Sequence, residues 1–172
     1  PYATWSSREL RVERNTRELL ELLSDAPTRV RATFFILGWI AQRCPELVRE
    51  IHQRGHEVAS HGVDHHLCYT QTADDLRSDL SRSKELLEEI TGHKILGSRA
   101  PSFSVSDEII NAVHETGYLY DSSYNSYAGH GRYGKLQLPQ MAKADLPLYT
   151  LRPSFYELPV SNLRLGNRVI PW

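Results

Sequence analysis

This 172-residue chain is short of cysteine, of excess charge of either sign, and of long apolar runs. Two cysteines, Cys44 and Cys68, are too few for a disulfide framework, and two free thiols are the simpler reading. The formal net charge of −1 leaves no electrostatic footprint for a nucleic-acid partner. The best apolar run, Ala32 to Leu37, falls far below the length of a membrane span. The first residues have neither the basic start nor the apolar stretch of a secretory signal. What remains is an ordinary globular composition, 40% hydrophobic and 24% charged, with enough length for one domain over residues 1–172. The chain opens on Pro1 and stops inside the apolar stretch Val169-Ile170-Pro171-Trp172, so a partial domain is expected.

Hydrophobic periodicity predicts alternating helices and strands. Val12, Thr16, Leu19, Leu20 and Leu23 fall at helical spacing over residues 12–24. Ala32 to Leu37 suits a strand covered on both faces, as in a parallel sheet. Pro45 stands at the first turn of a second helix that stops at Gly55, and His56 to Ser60 reads as a short strand. Thr72 and Asp75 resemble a capping box before a helix carrying Leu76, Leu80, Leu87 and Ile90, closed by Thr91-Gly92. Lys94 to Arg99 is a predicted strand, Ser106 caps the next helix, and Tyr118 to Asp121 is another strand. From Ser122 to Pro153 the composition turns to Gly, Tyr, Ser and Pro, which predicts a long surface excursion before a last strand, Phe155 to Val160.

Such alternation argues for an α/β architecture with a parallel sheet or barrel. His61 follows one predicted strand, Arg99 ends another and Asp121 ends a third. In parallel α/β folds these carboxyl ends share one rim, where sites are built.

The densest chemical signal is Ser60-His61-Gly62-Val63-Asp64-His65-His66. Imidazole is a common ligand for zinc and similar ions, and two histidines four positions apart face one ion if the segment makes a helical turn. Taken alone, the spacing admits a solvated histidine loop as readily as a metal site. His66 reads as exposed, His56 as packed or hydrogen-bonded in its strand, Cys68 as an inert thiol, and Asp64 as a loop-stabilising carboxylate.

Several stretches together resemble the polysaccharide deacetylase (NodB-homology) family. They are Ala32 to Trp39, Pro45 to Arg49, and Gly55 to His61 with His65, followed by Arg99-Ala100-Pro101-Ser102-Phe103 and Tyr118-Leu119-Tyr120-Asp121-Ser122-Ser123. Two further stretches, His130-Gly131-Arg132-Tyr133-Gly134 and Glu157-Leu158-Pro159-Val160-Ser161, are similar to the branch found at exosortase (PEP-CTERM) loci, associated with bacterial exopolysaccharide.

The resemblance implies a distorted (β/α) barrel, incomplete in this chain, and a metal-dependent hydrolase that removes N-acetyl groups from the amino sugars of a polysaccharide. It implies a divalent metal, zinc first, held by His61 and His65. Arg99 and Ser102 are the implied catalytic residues, Arg99 tuning the catalytic aspartate and Ser102 giving its backbone N–H to the oxyanion. Pro101 and Asp121 would contact substrate at the groove. For Asp121 a turn or cap at the strand end is a nearly equal reading, and for Trp39 packing at the rim competes with sugar stacking. The implied partner is an acetylated amino-sugar polysaccharide or oligosaccharide, in a bacterial cytoplasm or cell envelope.

Two departures stand out. The family's paired acids should precede the first helix, and nothing from Pro1 to Arg11 supplies them; the late histidine is expected beyond Trp172. A non-catalytic carbohydrate-binding relative, or a metal-independent hydrolase of a small amide or ureide, are the alternatives.

Overall fold

The computed structural model describes residues 9–28, 30–127, 131, 133–138, 148–165 and 168–171. Helix and strand alternate as α1 (Val12–Ser24), β1 (Thr33–Ile36), α2 (Gly38–Arg43), α3 (Pro45–Gln53), β2 (Glu57–Ser60), α4 (Ala73–Thr91), β3 (Gly97–Ser98), α5 (Asp107–Glu115) and β4 (Tyr120–Asp121). Then come β5 (Tyr149–Arg152), β6 (Phe155–Glu157) and a hairpin of β7 (Asn162–Leu165) and β8 (Arg168–Pro171).

Local chemistry sets the helix boundaries. Thr72 Oγ1 accepts the Asp75 N–H at 3.2 Å and donates to the Asp75 carboxylate at 2.7 Å, so the cap pairs side chain with side chain. Ser106 Oγ accepts the Ile109 N–H at 3.3 Å at the head of α5. Pro45 opens α3, and Gly92 ends α4 with a left-handed φ of 72°.

β1, β2, β3, β4 and β6 run parallel, and β5 adds an antiparallel edge, giving the order β1-β2-β3-β4-β6-β5. The α/β expectation therefore holds. Among the described residues the strands form an open sheet whose edges are β1 and β5.

All five strands predicted from sequence are shorter than predicted, most of all β3, which covers only Gly97–Ser98, and β4, which covers only Tyr120–Asp121. Gly97 of β3 is crowded from across the sheet. A side chain on Gly97 would meet Tyr120 Cζ at 2.0 Å, because Tyr120 crosses that position to give its hydroxyl to Glu57 Oε1 at 2.9 Å. β5 falls inside the stretch expected to be surface excursion, of which 128–130, 132 and 139–147 lie outside the described residues. Helix α2 and the β7–β8 hairpin carry too few periodic residues to be read from sequence.

The core lies between sheet and helices. Leu20 of α1, Val48 of α3, Leu87 of α4 and Val113 of α5 are almost wholly excluded from solvent. Each such side chain contributes about 1.5–3 kcal/mol by leaving water. Outside, Arg17 and Arg54 bridge Glu50 and Glu21 and tie α1 to α3, exposed pairs worth about 0.2–1 kcal/mol each.

Candidate functional site

Parallel register aligns Ile36, Ser60, Ser98, Asp121 and Glu157 in a single row across the sheet. One residue further along, Leu37, His61, Arg99, Ser122 and Leu158 emerge at the carboxyl rim. Their order is locked by backbone bonds: the N–H of His61 to Ile36 O at 3.0 Å, of Arg99 to Ser60 O at 2.9 Å, of Ser122 to Ser98 O at 2.9 Å, and of Leu158 to Asp121 O at 2.8 Å. Successive side chains alternate faces. The row itself faces the helices, where Ser60 Oγ meets Ser83 Oγ of α4 at 2.8 Å.

The histidine loop bends without making the helical turn its spacing suggested. Gly62 (φ 75°) and His65 (φ 58°) both take left-handed conformations, and these bring the His61 and His65 rings to 5.0 Å between centroids. Helices α2 and α4 hold the loop. Gly38 and Trp39 of α2 give their N–H groups to Gly62 O and Val63 O at 2.9 and 3.0 Å. Ser83 donates to Gly62 O at 3.3 Å. Asp79 of α4 accepts the Val63 N–H at 3.1 Å, the part expected of Asp64. Gly62 is needed there, since a side chain would come within 2.8 Å of Asp79 Oδ2.

His61 Nδ1–H donates to the carbonyl oxygen of Arg99 at 2.7 Å. That bond fixes the tautomer and leaves Nε2 with its lone pair outward. Burial presses His61 down to about 4 and also lowers His65, so both imidazoles are neutral near pH 7. Neutral, anchored imidazole is the form that binds a divalent metal. The two side chains fit two positions of such a site. Among the described residues no group of three or more His, Cys, Asp or Glu gathers into a metal-binding set.

Arg99 is clamped. Its Nε–H donates to Ser122 O at 2.7 Å and its Nη2 to Ser122 Oγ at 2.6 Å. The guanidinium lies 4.1 Å over the Phe35 ring and 5.8 Å from the Phe103 ring. Beyond it, Ser102 (φ 51°) and Phe103 (φ 55°) form a left-handed turn, costing about 1–3 kcal/mol per residue in strain. The turn uses the N–H groups of Phe103, Ser104 and Val105 internally, and Ser104 Oγ fastens it to the Cys68 N–H at 2.9 Å.

Two expectations, for Asp121 and Pro101, change on contact with the structure, while Trp39 packs as its first reading has it. Asp121 is 1% exposed, its carboxylate bound by the Ser98 hydroxyl at 3.1 Å and the Ser123 N–H at 2.8 Å, so it anchors the rim from inside and does not wall a groove. Pro101 is buried, because its ring is held within the turn behind the histidine loop, and its carbonyl is taken by Ser104. Trp39 is half-buried under the Arg43 guanidinium at 3.8 Å, at the head of α2. His66 is exposed, His56 accepts the Ala32 N–H at 3.2 Å, and burial pushes the Cys68 thiol up to about 12.

Residues that the sequence reading passed over complete the rim. Ser122 holds Arg99, Ser123 Oγ accepts the Ala100 N–H at 2.7 Å, and Glu157 accepts the Tyr124 N–H at 2.9 Å. Ser122 and Ser123 close one quoted motif and Glu157 opens another, and only those positions hinted at these roles. Next to the turn, Tyr124, Tyr127, Tyr133 and Lys135 help line a cleft of about 510 Å3. Tyr133 packs edge-on against Phe103 at 5.0 Å, and the Gly134 N–H donates to Phe103 O at 2.8 Å. His130 and Arg132 of the quoted stretch lie outside the described residues.

The sequence profile of the polysaccharide deacetylase family matches residues 4–120. A peptidoglycan-N-acetylglucosamine deacetylase of Bacillus cereus is 29% identical over 103 residues, covering 60% of this chain and 47% of that protein. A chitooligosaccharide deacetylase of Sinorhizobium fredii is 31% identical over 103 residues, covering 59% and 47%. The structure of a Mycobacterium smegmatis protein described as a polysaccharide deacetylase superposes with a TM-score of 0.64 at 30% identity, covering 88% of this chain and 50% of that one. The chain thus spans about half the length, or less, of these relatives. With a matching profile over most of its length and the family's fold beneath an ordered histidine–arginine rim, the chain belongs to the polysaccharide deacetylase family.

Proposed function

We propose that this chain is part of a carbohydrate N-deacetylase domain, which hydrolyses the acetamide of an amino sugar in a polysaccharide or oligosaccharide and releases acetate. The observation that carries the reading is the anchored His61 ring beside His65, two neutral imidazoles at the carboxyl rim of a parallel sheet. Named relatives that deacetylate peptidoglycan or chitooligosaccharide support the substrate class.

His61 and His65 would hold a divalent metal, zinc first, whose chemistry is to polarise water and the amide carbonyl. The chain's own residues frame that chemistry. Arg99 keeps a fixed positive charge at the rim, where it favours the ionised form of a nearby carboxylate. The Ser102 N–H, on its left-handed turn, donates to the developing oxyanion, a contact worth roughly 2.7–4 kcal/mol. The tyrosine-lined cleft next to the turn seats a neighbouring sugar ring, since tyrosine offers an apolar face with a polar tip. An exopolysaccharide or cell-envelope setting belongs to the same proposal.

The test is acetate release from N-acetylated chitooligosaccharides by the full-length protein, together with metal content after dialysis. His61→Ala and His65→Ala each abolish turnover and lower the bound metal. Undiminished turnover in both variants overturns the metal assignment. A wild-type protein that binds the sugar without releasing acetate points to the non-catalytic reading instead.

A further inference from the structure

Two acidic side chains lie one strand apart beneath the rim, and the proposed chemistry uses neither. Asp121 ends β4 and Glu157 ends β6, and the parallel register sets them side by side. Both are sealed, at 1% and 0% exposure. Their oxygens are unequally served. Asp121 receives the Ser98 hydroxyl on Oδ1 and the Ser123 N–H on Oδ2. Glu157 receives the Tyr124 N–H on Oε1, while its Oε2 is buried without a donor. A buried carboxylate oxygen without a donor is costly, and two carboxylates at this spacing do not both stay ionised.

We propose that Glu157 is a positioning residue for the deacetylase rim: a neutral acid carrying its proton on Oε2 and sharing it with the Asp121 carboxylate, so that the pair fixes residues 122–124 and through them Arg99. This rests on the reading of the rim as a deacetylase site.

The surroundings favour one proton on the pair. Burial, and then the neighbouring Asp121 charge, raise Glu157 to about 10, and burial raises Asp121 as well. The titratable groups whose charges interact with the pair are Arg99 from the end of β3, Tyr118 ahead of β4 and the Cys68 thiol from the histidine side. His114 of α5 packs against Phe155, one pleat before Glu157. Arg99 is the only cation in that set, and it offsets one negative charge.

The route to Arg99 is short. The pair captures the N–H groups of Ser123 and Tyr124. Ser122, held between them and Asp121, presents its carbonyl and hydroxyl to the guanidinium, and its hydroxyl also donates to Leu158 O at 2.8 Å. Ser123 Oγ takes the Ala100 N–H, which fixes the other side of Arg99. A glutamine at 157 preserves the arrangement, with its amide NH2 donating to Asp121 and its oxygen accepting from Tyr124. An ionised or truncated residue does not.

The experiment combines carboxyl-carbon NMR of the whole chain with hydrogen exchange of the Arg99 Nε–H. The expected wild-type result is a Glu157 carboxyl protonated at pH 7 and a protected Arg99 Nε–H. Glu157→Gln keeps that protection, and Glu157→Ala lowers it by at least about ten-fold, the size of one lost hydrogen bond. In the full-length enzyme Glu157→Gln keeps kcat within about three-fold, while Glu157→Ala lowers kcat more than it raises KM. A Glu157 that is ionised at pH 7 overturns the proposal, and so does unchanged Arg99 protection in Glu157→Ala. If Glu157→Ala does not fold, the wild-type titration and Glu157→Gln decide it. Wild-type protein that releases no acetate refutes the deacetylase reading, while the two NMR readouts still judge the pair.

Discussion

His61 and Arg99 are joined through the main chain: the imidazole Nδ1–H of one donates to the carbonyl oxygen of the other at 2.7 Å. The strand end that launches the guanidinium therefore also sets the histidine's tautomer. The placement of the His61 ring and that of the Arg99 charge are coupled in this rim by a single peptide unit.

Arg99→Lys should show that coupling. Lysine keeps the charge but cannot reach both Ser122 O and Ser122 Oγ or stack on Phe35. The expected cost is about 1.5–3 kcal/mol in stability for the lost charge-assisted bonding. It is read as a lower midpoint in urea with an unchanged slope, alongside a drop in kcat.

Ser102 tests whether a main-chain donor is used. Ser102→Ala should leave turnover within about three-fold, because the N–H remains. Ser102→Gly relieves the left-handed φ of 51° and should stabilise the chain by up to about 1 kcal/mol. Ser102→Pro removes the N–H and forbids the positive φ, so it should lose both activity and stability. Equal activity in the proline variant would refute the backbone role.

Gly97→Ala should destabilise by about 1–3 kcal/mol, the usual cost of overpacking. The new methyl collides with the Tyr120 ring, which must abandon Glu57. Thermal melting of Gly97→Ala against Gly97→Ala/Tyr120→Ser checks the cause, since the second substitution should recover part of the loss.

Glu157 also predicts a pH dependence of stability. Its folded-state affinity for a proton is raised above the unfolded value of 4.5 by burial and by Asp121. A raised acid contributes stability that is fully present below the unfolded value and is lost as pH rises toward the folded one. Unfolding free energy should therefore decline from about pH 5 upward through the neutral range. Glu157→Gln, which does not titrate, should flatten the decline in parallel denaturation series.

Much of the rim was legible because it depends on periodicity and order. An apolar run at Thr33–Ile36, a capped helix after Thr72 and motifs after each strand placed His61 and Arg99 correctly at one end of the sheet. Asp121 was placed at the right strand end, with a groove wall and a turn or cap there left nearly equal. Side-chain alternation turns it toward the helices, and two-residue strands give too short a pattern to reveal that. The roles of Asp79, Ser122, Ser123 and Glu157 were hidden for a different reason. They act by catching backbone groups 16 to 36 residues away, and no local pattern records such a partner.

The row from Ile36 through Ser60, Ser98 and Asp121 to Glu157 has a consequence for how this sequence tolerates change. Substitution is the milder threat, and a change of length is the severe one. Deleting a single residue from β3 would advance the chain by one pleat and deliver Arg99 to the helix side, leaving Ala100 where the guanidinium belongs. A strand of two residues has no interior in which to absorb the slip as a bulge. The spacing between a strand's start and its last residue thus works as a ruler, and selection on this chain should act on insertions and deletions near positions 60, 98, 121 and 157 more harshly than on most side chains there.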